Sequence, residues 1–431
     1  MKNTIAIGIM ASLCLLSSTA AKAQAGILQG WGTNWTAQVK NVNFNPNTPV
    51  TIDGLSNVVQ VVGGTSHSVA LRADGTVWAW GWNGEGEIGD GTTVNRLVPT
   101  KVPGLKNVAQ IAAGYLYSLA LLKDGTVWAW GYNQLGSLGD GTQINRLVPT
   151  QVLGLQNVVQ IAAGVYHTLA MRSDGTVWGW GYNGGGQVGS GNSNDTFSPV
   201  QTLLPKNIVH LEAGGYQSLA IAADGVVWGW GDNASGQLGM GDLTRTNKPI
   251  RSVLFGKVLQ VATANQNSYI LKADGTVWAV GLNKRGQLGD GTNADSLVLV
   301  PVVGLNGVVQ IDAGTDYAVA LKADGTAWAW GAGPEGELGN GAYNDSNIPV
   351  QVVGLTGQAY ISACVYHTFS FVPIKRNARI AISTITQPYG SAFKLTAELK
   401  NSPYAAYRLE VALDGILPSW TNNSLISTPT I

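Results

Sequence analysis

Charge is scarce in this sequence. Charged residues occupy 12% of the 431 positions, and the 25 Lys and Arg residues balance the 25 Asp and Glu residues. No basic or acidic run provides the electrostatic surface that nucleic acids or anionic membranes require. Low charge together with 57 glycines also argues against a coiled coil or a charged disordered chain. The composition is typical of an all-β protein with many tight turns.

Long apolar runs are also missing, apart from a short one near the N-terminus. Lys2 precedes the run IAIGIMASLCLL, which is too short to span a bilayer, and Ala-Lys-Ala follows at positions 21–23. We therefore predict a cleaved signal peptide over residues 1–23. The mature protein is then secreted, periplasmic or on the cell surface, without stable membrane insertion.

Cysteine is the rarest functional residue type, with two copies in the chain. Cleavage after residue 23 would remove Cys14 and leave Cys364, so an intrachain disulfide is excluded in the mature protein. Cys364 stands where the other repeats carry glycine, for example Gly314. We predict a small buried residue at this position and not a catalytic nucleophile.

An internal repeat of fifty residues dominates the chain. Its marker is an Asp-Gly pair, whose aspartates are Asp74, Asp124, Asp174, Asp224, Asp274 and Asp324. Each unit contains a β-branched run, two apolar runs joined at Asp-Gly, a glycine-rich loop and a proline-containing run. Asp-Gly between apolar runs predicts a hairpin, and proline restricts the last strand to a sheet edge. The unit therefore predicts four strands and no helix, which is one blade of a propeller.

The segment TVWAWG at residues 76–81 carries two tryptophans. Side chains alternate along a strand, so Trp78 and Trp80 share one face while Val77 and Ala79 share the other. Since both faces are apolar, we predict that the strand is covered on both sides and that both tryptophans belong to the core. The predicted structural residues of the repeat are Asp74, Gly75, Trp78, Trp80, Trp128, Trp178, Trp228, Trp278 and Trp328.

Incomplete units flank the six full ones. WGTN at Trp31 matches the second half of a unit, and HTFSF from His367 matches the first half. The fold class that follows is a seven-bladed β-propeller over residues 24–372, whose ring closes by pairing the N- and C-terminal half-repeats. Such closure removes exposed sheet edges.

The tail, residues 373–431, departs from the repeat. Phe393, Leu395, Ala397 and Leu399 alternate with polar residues, and YRLEVALDG from Tyr407 predicts a further strand. The pattern resembles the opening strands of a bacterial immunoglobulin-like domain. A complete sandwich needs about 100 residues, so we expect either a partial module or an irregular β segment.

The glycine-rich loops carry a family resemblance. WGYNGGGQVGSG, WGDNASGQLGMG and VGLNKRGQLGDG resemble the W-G-x-N-x-x-G-Q-L-G-x-G signature of the regulator of chromosome condensation repeat family, and AAGVYHTLAM resembles its G-x-x-H-[ST]-x-A-L strand. The resemblance covers about residues 26–372 and implies a seven-bladed propeller. Members include an exchange factor for a small GTPase and the secreted β-lactamase inhibitor protein II, so it also implies exchange-factor or enzyme-inhibitor activity as alternatives.

Candidate catalytic and ligand motifs are weak. The two G-x-G-x-x-G matches precede edge strands and lack the helix of a dinucleotide site. The GDGT loops at Asp90, Asp140 and Asp290 offer too few carboxylates for calcium. His67, His167 and His367 share a blade position with Tyr117, Gln217, Asn267 and Tyr317, which predicts hydrogen bonding between strand and neighbouring loop and not zinc binding. We expect no enzyme, cofactor or metal.

The function that the sequence favours is a monomeric binding or scaffold propeller for a protein or glycan partner. Loops on a rigid scaffold carry function, and Trp, Tyr and Arg anchor interfaces. The predicted binding-face residues are Trp82, Tyr132, Tyr182, Asp232, Leu282, Lys284 and Arg285.

Overall fold

The computed structural model describes residues 27–252, 255, 258–372, 379–380, 394–400 and 408–412. The predicted signal peptide lies outside these ranges. The chain divides into two units, Met1–Pro373 and Ile374–Ile431. The described residues form strands and turns without a helix, and hence contain no helical segment capable of crossing a membrane.

Thirty-one strands are present in the described part of the chain. In chain order they are β1 Leu28–Gly32, β2 Val50–Thr51, β3 Val58–Gly63, β4 His67–Arg72, β5 Val77–Gly81, β6 Arg96–Lys101, β7 Val108–Ala113, β8 Tyr117–Leu122, β9 Val127–Gly131, β10 Arg146–Gln151, β11 Val158–Ala163, β12 His167–Arg172, β13 Val177–Gly181, β14 Thr196–Gln201, β15 Ile208–Ala213, β16 Gln217–Ala222, β17 Val227–Gly231, β18 Thr246–Arg251, β19 Gln260–Thr263, β20 Asn267–Leu271, β21 Val277–Gly281, β22 Ser296–Pro301, β23 Val308–Ala313, β24 Tyr317–Lys322, β25 Ala327–Gly331, β26 Ser346–Gln351, β27 Tyr360–Ala363, β28 His367–Phe371, β29 Arg379–Ile380, β30 Lys394–Lys400 and β31 Arg408–Ala412.

Seven antiparallel four-stranded sheets form the blades of a propeller. Blades one to six are β3–β6, β7–β10, β11–β14, β15–β18, β19–β22 and β23–β26. Within each of these blades the proline-containing strand lies at the edge, as the sequence predicts. The first strand of each blade contacts the first strand of the next, and β27 contacts β3, so the first strands surround a common axis.

Blade seven is built from both ends of the propeller. Its sheet order is β2-β1-β28-β27, in which β1 pairs antiparallel with β28 from Leu28↔Phe371 to Gly32↔His367. The predicted ring closure and the predicted count of seven blades are both confirmed.

The hydrophobic core is distributed between neighbouring blades. One cluster joins Val69 and Val77 of blade one to Ile111 and Trp130 of blade two. Equivalent clusters follow around the ring. Each blade therefore buries its apolar faces only when its neighbours are present, which is the arrangement expected for a repeat protein.

In the five blades whose third strand carries two tryptophans, the two differ in burial. Trp80 is 1% exposed, and the tryptophans at its position in blades two, three, four and six are fully buried. Trp78 is only half-buried, although it packs against a core cluster. It lies toward the hairpin, under the Arg72 guanidinium at 5.6 Å, and donates to Thr76 Oγ1 at 3.2 Å. The expectation that both tryptophans are core residues is therefore wrong in part, because Trp78 lies at the hairpin end of the blade, where part of its side chain is exposed.

The second unit contains three described strands in the order β29-β30-β31. Lys394 of β30 pairs with Ala412 of β31, and Arg379 of β29 pairs with Lys400. Strands thus occur where the tail pattern predicts them. The immunoglobulin-like relationship remains a prediction.

Candidate functional site

The propeller has two distinct faces. We call the loop face the one formed by the connections after the first and third strands of each blade, such as residues 64–66 and 82–95 in blade one. The hairpin face carries the Asp-Gly turns. Asp124 accepts the Thr126 hydroxyl at 2.7 Å and its N–H at 3.0 Å, and these bonds lower the pKa of the Asp124 carboxyl. Most of the repeated polar residues on this face therefore hold turns.

A buried asparagine shapes six of the seven long connections on the loop face, and Gly333 takes its place in blade six. Asn83 Oδ1 accepts the Ile88 N–H at 2.9 Å, while Nδ2 donates to the Thr92 and Val94 carbonyls at 2.9 and 3.1 Å. The same accepting bond is made by Asn34, Asn133, Asn183, Asn233 and Asn283. Gly81 enters the loop at φ 103°, where a Cβ would come within 2.4 Å of the Ser66 carbonyl oxygen. The W-G-x-N signature therefore encodes loop geometry.

Six tyrosines gather near the axis on the loop face. We call them the tyrosine cluster: Tyr115, Tyr132, Tyr166, Tyr182, Tyr216 and Tyr366. Ring centroids lie 5.6 Å apart for Tyr115 and Tyr166, 5.7 Å for Tyr132 and Tyr166, and 5.9 Å for Tyr182 and Tyr216. All six side chains are half-buried. Burial, reinforced by neighbouring tyrosines, raises the pKa of Tyr166 to about 12, so its phenol is neutral.

The tyrosine cluster surrounds one end of a cavity of about 510 Å³ along the propeller axis. The first strands form its wall, and Tyr115, Tyr166, Tyr216 and Tyr366 line its loop-face end.

A belt of glutamines braces this wall. Gln110 Nε2 donates to the Ile161 carbonyl at 2.9 Å, and its Oε1 accepts the Ile161 N–H at 2.9 Å. Gln60, Gln160, Gln260 and Gln310 make the same pair of bonds to the next blade. The belt fixes the spacing of the first strands and keeps the cavity open.

Three titratable side chains interrupt the regular lining of the cavity. His210 replaces a belt glutamine, and its Nε2 lies 2.9 Å from Glu212 Oε1. Asp312 accepts the N–H groups of Ala313 at 2.8 Å and Ala363 at 3.0 Å. Burial raises the pKa of Asp312 to about 7, and the charge of Glu212 contributes to the increase.

The predicted binding-face residues all lie on the loop face, but they differ in availability. Trp82 is 40% exposed. Tyr132 and Tyr182 belong to the tyrosine cluster, and Leu282 is half-buried. Asp232 is engaged in an ion pair, with its Oδ1 3.2 Å from Arg245 Nη2.

The two basic candidates are engaged in ion pairs. Lys284 Nζ lies 3.2 Å from Asp295 Oδ2. Arg285 Nε and Nη2 donate to Asp345 of the next blade at 2.9 and 2.7 Å. Arg285 therefore links two blades, a contact that also limits its freedom to reach a partner.

The equivalent histidines are buried and form hydrogen bonds as predicted, but their partners lie on the second strand of the neighbouring blade and not in a loop. Nε2 of His67, His167 and His367 lies 3.0, 2.9 and 3.0 Å from the hydroxyls of Ser118, Ser218 and Ser68. These distances would suit a nucleophile and its base, but both groups are fully buried and each serine donates to a backbone carbonyl. Burial lowers the pKa of His167 to about 3. The pairs are structural.

Cys364 and the GDGT aspartates also have structural positions. Cys364 is 3% exposed, as the sequence predicts, and burial raises the pKa of its thiol. Asp140 accepts Thr142 Oγ1 at 2.7 Å and Arg146 Nε at 2.6 Å. Within the part of the chain that the structure describes, no three His, Cys, Asp or Glu side chains are grouped for a metal ion.

Sequence reasoning missed four members of the tyrosine cluster and the three titratable residues of the cavity. Tyr115, Tyr166, Tyr216 and Tyr366 all follow the first strand of a blade closely. The repeats can be aligned and compared position by position. Extending that comparison to the connection between the first and second strands would have found these tyrosines. The same comparison would have shown Glu212 and Asp312 where three other blades carry alanine, as at Ala112.

Known proteins share both the repeat and the fold. A curated relative, Protein pim1 of Schizosaccharomyces pombe, is 46% identical over 52 residues, which are 12% of this chain. The match spans 10% of that relative's length. The crystal structure of human WBSCR16 matches with a TM-score of 0.74 and 25% identity, over 82% of this chain and all of that one. Prp20p of Saccharomyces cerevisiae matches with a TM-score of 0.74 and 23% identity, over 82% of this chain and 93% of that one.

The family assignment rests on a broader match than the curated relative provides. The family model described as the RCC1-like domain matches residues 3–268 and 109–374. These ranges include every blade described above. The chain belongs to the RCC1-like domain family.

Proposed function

We propose that this protein is a secreted or envelope-associated binding propeller that engages a protein partner through its loop face. The observation that carries the proposal is the tyrosine cluster around the axial cavity. Tyrosine anchors interfaces because it offers a large apolar area with a polar tip and few rotatable bonds. Ring contacts within the cluster reduce the conformational entropy lost on binding.

The proposal does not include catalysis. The three serine–histidine pairs are fully buried, and burial raises the pKa of Tyr166 in the cluster to about 12. The scaffold favours binding because core packing braces every blade to the next, and the glutamine belt adds hydrogen bonds at five of the seven junctions. A rigid face of this kind needs little reorganisation when a partner docks.

Capture of partners by the purified propeller tests the proposal. The protein is immobilised and exposed to culture medium and to envelope extract, and bound proteins are identified and titrated. Tyr166→Ala and Tyr216→Ala are compared with Tyr343→Ala, a tyrosine that is 52% exposed and lies outside the cluster. We expect at least about tenfold weaker binding for the two cluster variants, as for interface hot spots, and an unchanged affinity for the control.

Two results would contradict this function. One is a captured partner whose affinity is the same for all three variants. The other is binding to glycans alone, which would assign the cluster to sugar stacking. Fractionation addresses location separately, since a cytoplasmic full-length protein would contradict the secreted part of the proposal.

Exchange-factor activity is the second candidate, and family membership favours it. The work on Prp20p describes its binding to Gsp1p and histones. If this chain acts similarly, it would accelerate the release of labelled GDP from a small GTPase at catalytic concentrations. Inhibition of a captured enzyme would instead support the inhibitor alternative.

A further inference from the structure

The axial cavity has an asymmetric lining that the repeat does not require. At the position of Ala112 in the first strand, two other blades also carry alanine, as at Ala162. Blades four and six carry Glu212 and Asp312 instead. Both carboxyl groups line the cavity. The two acidic side chains therefore face a space into which most equivalent positions contribute only a methyl group.

The cavity has a negative bias. Its lining includes Glu212, Asp312 and His210, but neither lysine nor arginine. Asp312 is held by backbone N–H groups, and Glu212 is paired with a histidine and not with a permanent cation. A negatively charged ligand would thus meet repulsion along the axis, and a cation would be attracted.

The entrance to the cavity also suits a cation. Tyr115, Tyr166, Tyr216 and Tyr366 line the loop-face end, where the ring faces present negative electrostatic potential. Lysine, arginine and other organic cations bind aromatic faces within about 6 Å of the ring centroid. The aromatic rings at the entrance and the carboxyl groups deeper inside therefore offer two successive binding positions for one positively charged group.

We propose that the axial cavity receives an arginine or lysine side chain of the partner protein, with its charged head directed toward Glu212 and Asp312 and its stem against the tyrosines. This inference rests on the proposed function, since it assigns a chemical class to what the loop face binds. The aliphatic stem of a basic side chain packs on apolar surface while its head keeps polar contacts. A bare metal ion is a poorer match, because the described residues offer no group of three ligating side chains.

A peptide pair isolates the contribution of the charge. A capped Gly-Arg-Gly peptide and its citrulline counterpart have nearly the same shape, but only the first is charged. Each is titrated into the intact protein by calorimetry and by NMR of the tyrosine rings. We expect the arginine peptide to bind at least about tenfold more tightly, consistent with combined charge and ring contacts, and to shift the resonances of the tyrosine cluster.

Matched variants test the two carboxyl groups. Glu212→Gln and Asp312→Asn keep the size of each side chain and remove its charge, and together they should abolish the preference for arginine over citrulline. Asp53→Asn removes the same charge outside the cavity, beside Lys40 at 2.9 Å, and should leave the preference unchanged. Thermal unfolding checks that each variant is folded.

The inference is overturned by equal affinity for the two peptides, by no binding of either, or by a preference that survives in the double variant. Partner capture by the tyrosine cluster without arginine preference would leave the proposed function intact while refuting the cavity site. If the protein prefers the arginine peptide but the cluster variants capture partners normally, the cavity site is supported and the proposed function is refuted.

Discussion

The strongest stability prediction concerns two tryptophans on one strand. Trp180 is fully buried in the core between blades two and three, and its Nε1 donates to the Ser137 carbonyl at 2.9 Å. Trp178, two residues earlier, is half-buried under Arg172, at 5.9 Å from the guanidinium. Alanine at either position removes the same type of side chain from the same strand. A difference in stability between the two variants therefore reflects the burial of the tryptophan and not the residue type.

The two expected costs do not overlap. Trp180→Ala should destabilise the protein by about 3–5 kcal/mol, the range for large-to-small changes of a buried aromatic. Trp178→Ala loses less buried area and should cost about 1–2 kcal/mol. Ser137 keeps a second donor, Thr168 Oγ1 at 3.0 Å, so the loss at Trp180 arises mainly from the cavity that alanine leaves.

Urea denaturation followed by tryptophan fluorescence and circular dichroism measures both costs. The phenylalanine variants add an internal control, because Trp80 Nε1 has no acceptor among the described residues. Trp180→Phe should therefore cost about 1 kcal/mol more than Trp80→Phe, the value of one hydrogen bond. Equal destabilisation by Trp178→Ala and Trp180→Ala would refute the assignment of the core to the second tryptophan.

Three further predictions concern the bracing of the ring. Gln110→Leu leaves the N–H and carbonyl of Ile161 without their side-chain partner and should cost about 1–3 kcal/mol in urea denaturation, whereas no measurable loss would show that the belt is dispensable. Burial lowers the pKa of His167 from 6.5 to about 3 in the folded protein, so the unfolded chain binds the proton first and stability falls as pH drops below 6.5. Glutamine is the residue of blade four at this position, and His167→Gln should remove about 2 kcal/mol of the stability that the protein loses between pH 6.5 and 5. Urea denaturation of both proteins at each pH measures this difference, and identical pH dependence would refute the prediction. Gly30→Ala places a Cβ 2.7 Å from the Phe369 ring and should increase hydrogen exchange in β1 and β28 before other blades, and a uniform increase around the ring would contradict local opening of the closure.

Much of the architecture was predictable because the same short sequence features form the turns and strands of each blade. Asp74-Gly75 predicts a hairpin, the alternation in TVWAWG predicts a strand with two covered faces, and the proline of β6 predicts an edge. The half-repeats at Trp31 and His367 predict the closure that β1 and β28 form. These features depend on neighbours in sequence, or on a register that the repeat itself defines.

The candidate site was only partly predictable. Tyr132 and Tyr182 were found because they vary within a recognisable motif. Arg285 belongs to the same motif, yet its guanidinium is paired with Asp345 of the next blade. Sequence position placed these residues together on the loop face, but the partner of a charged side chain depends on which blade lies beside it.

The sequence by itself determined the repeat, the four-stranded unit, the number of blades and the way the ring closes, because periodicity and turn chemistry act along the chain. Only the tertiary structure decided which residues share the axis. Tyr115 and Tyr366 are far apart in sequence, and so are Glu212 and Asp312, yet each pair lines one cavity. Closing seven blades into a ring converts equivalent repeat positions into neighbours across the axis, and that convergence places the tyrosines and the two carboxyl groups in a single site.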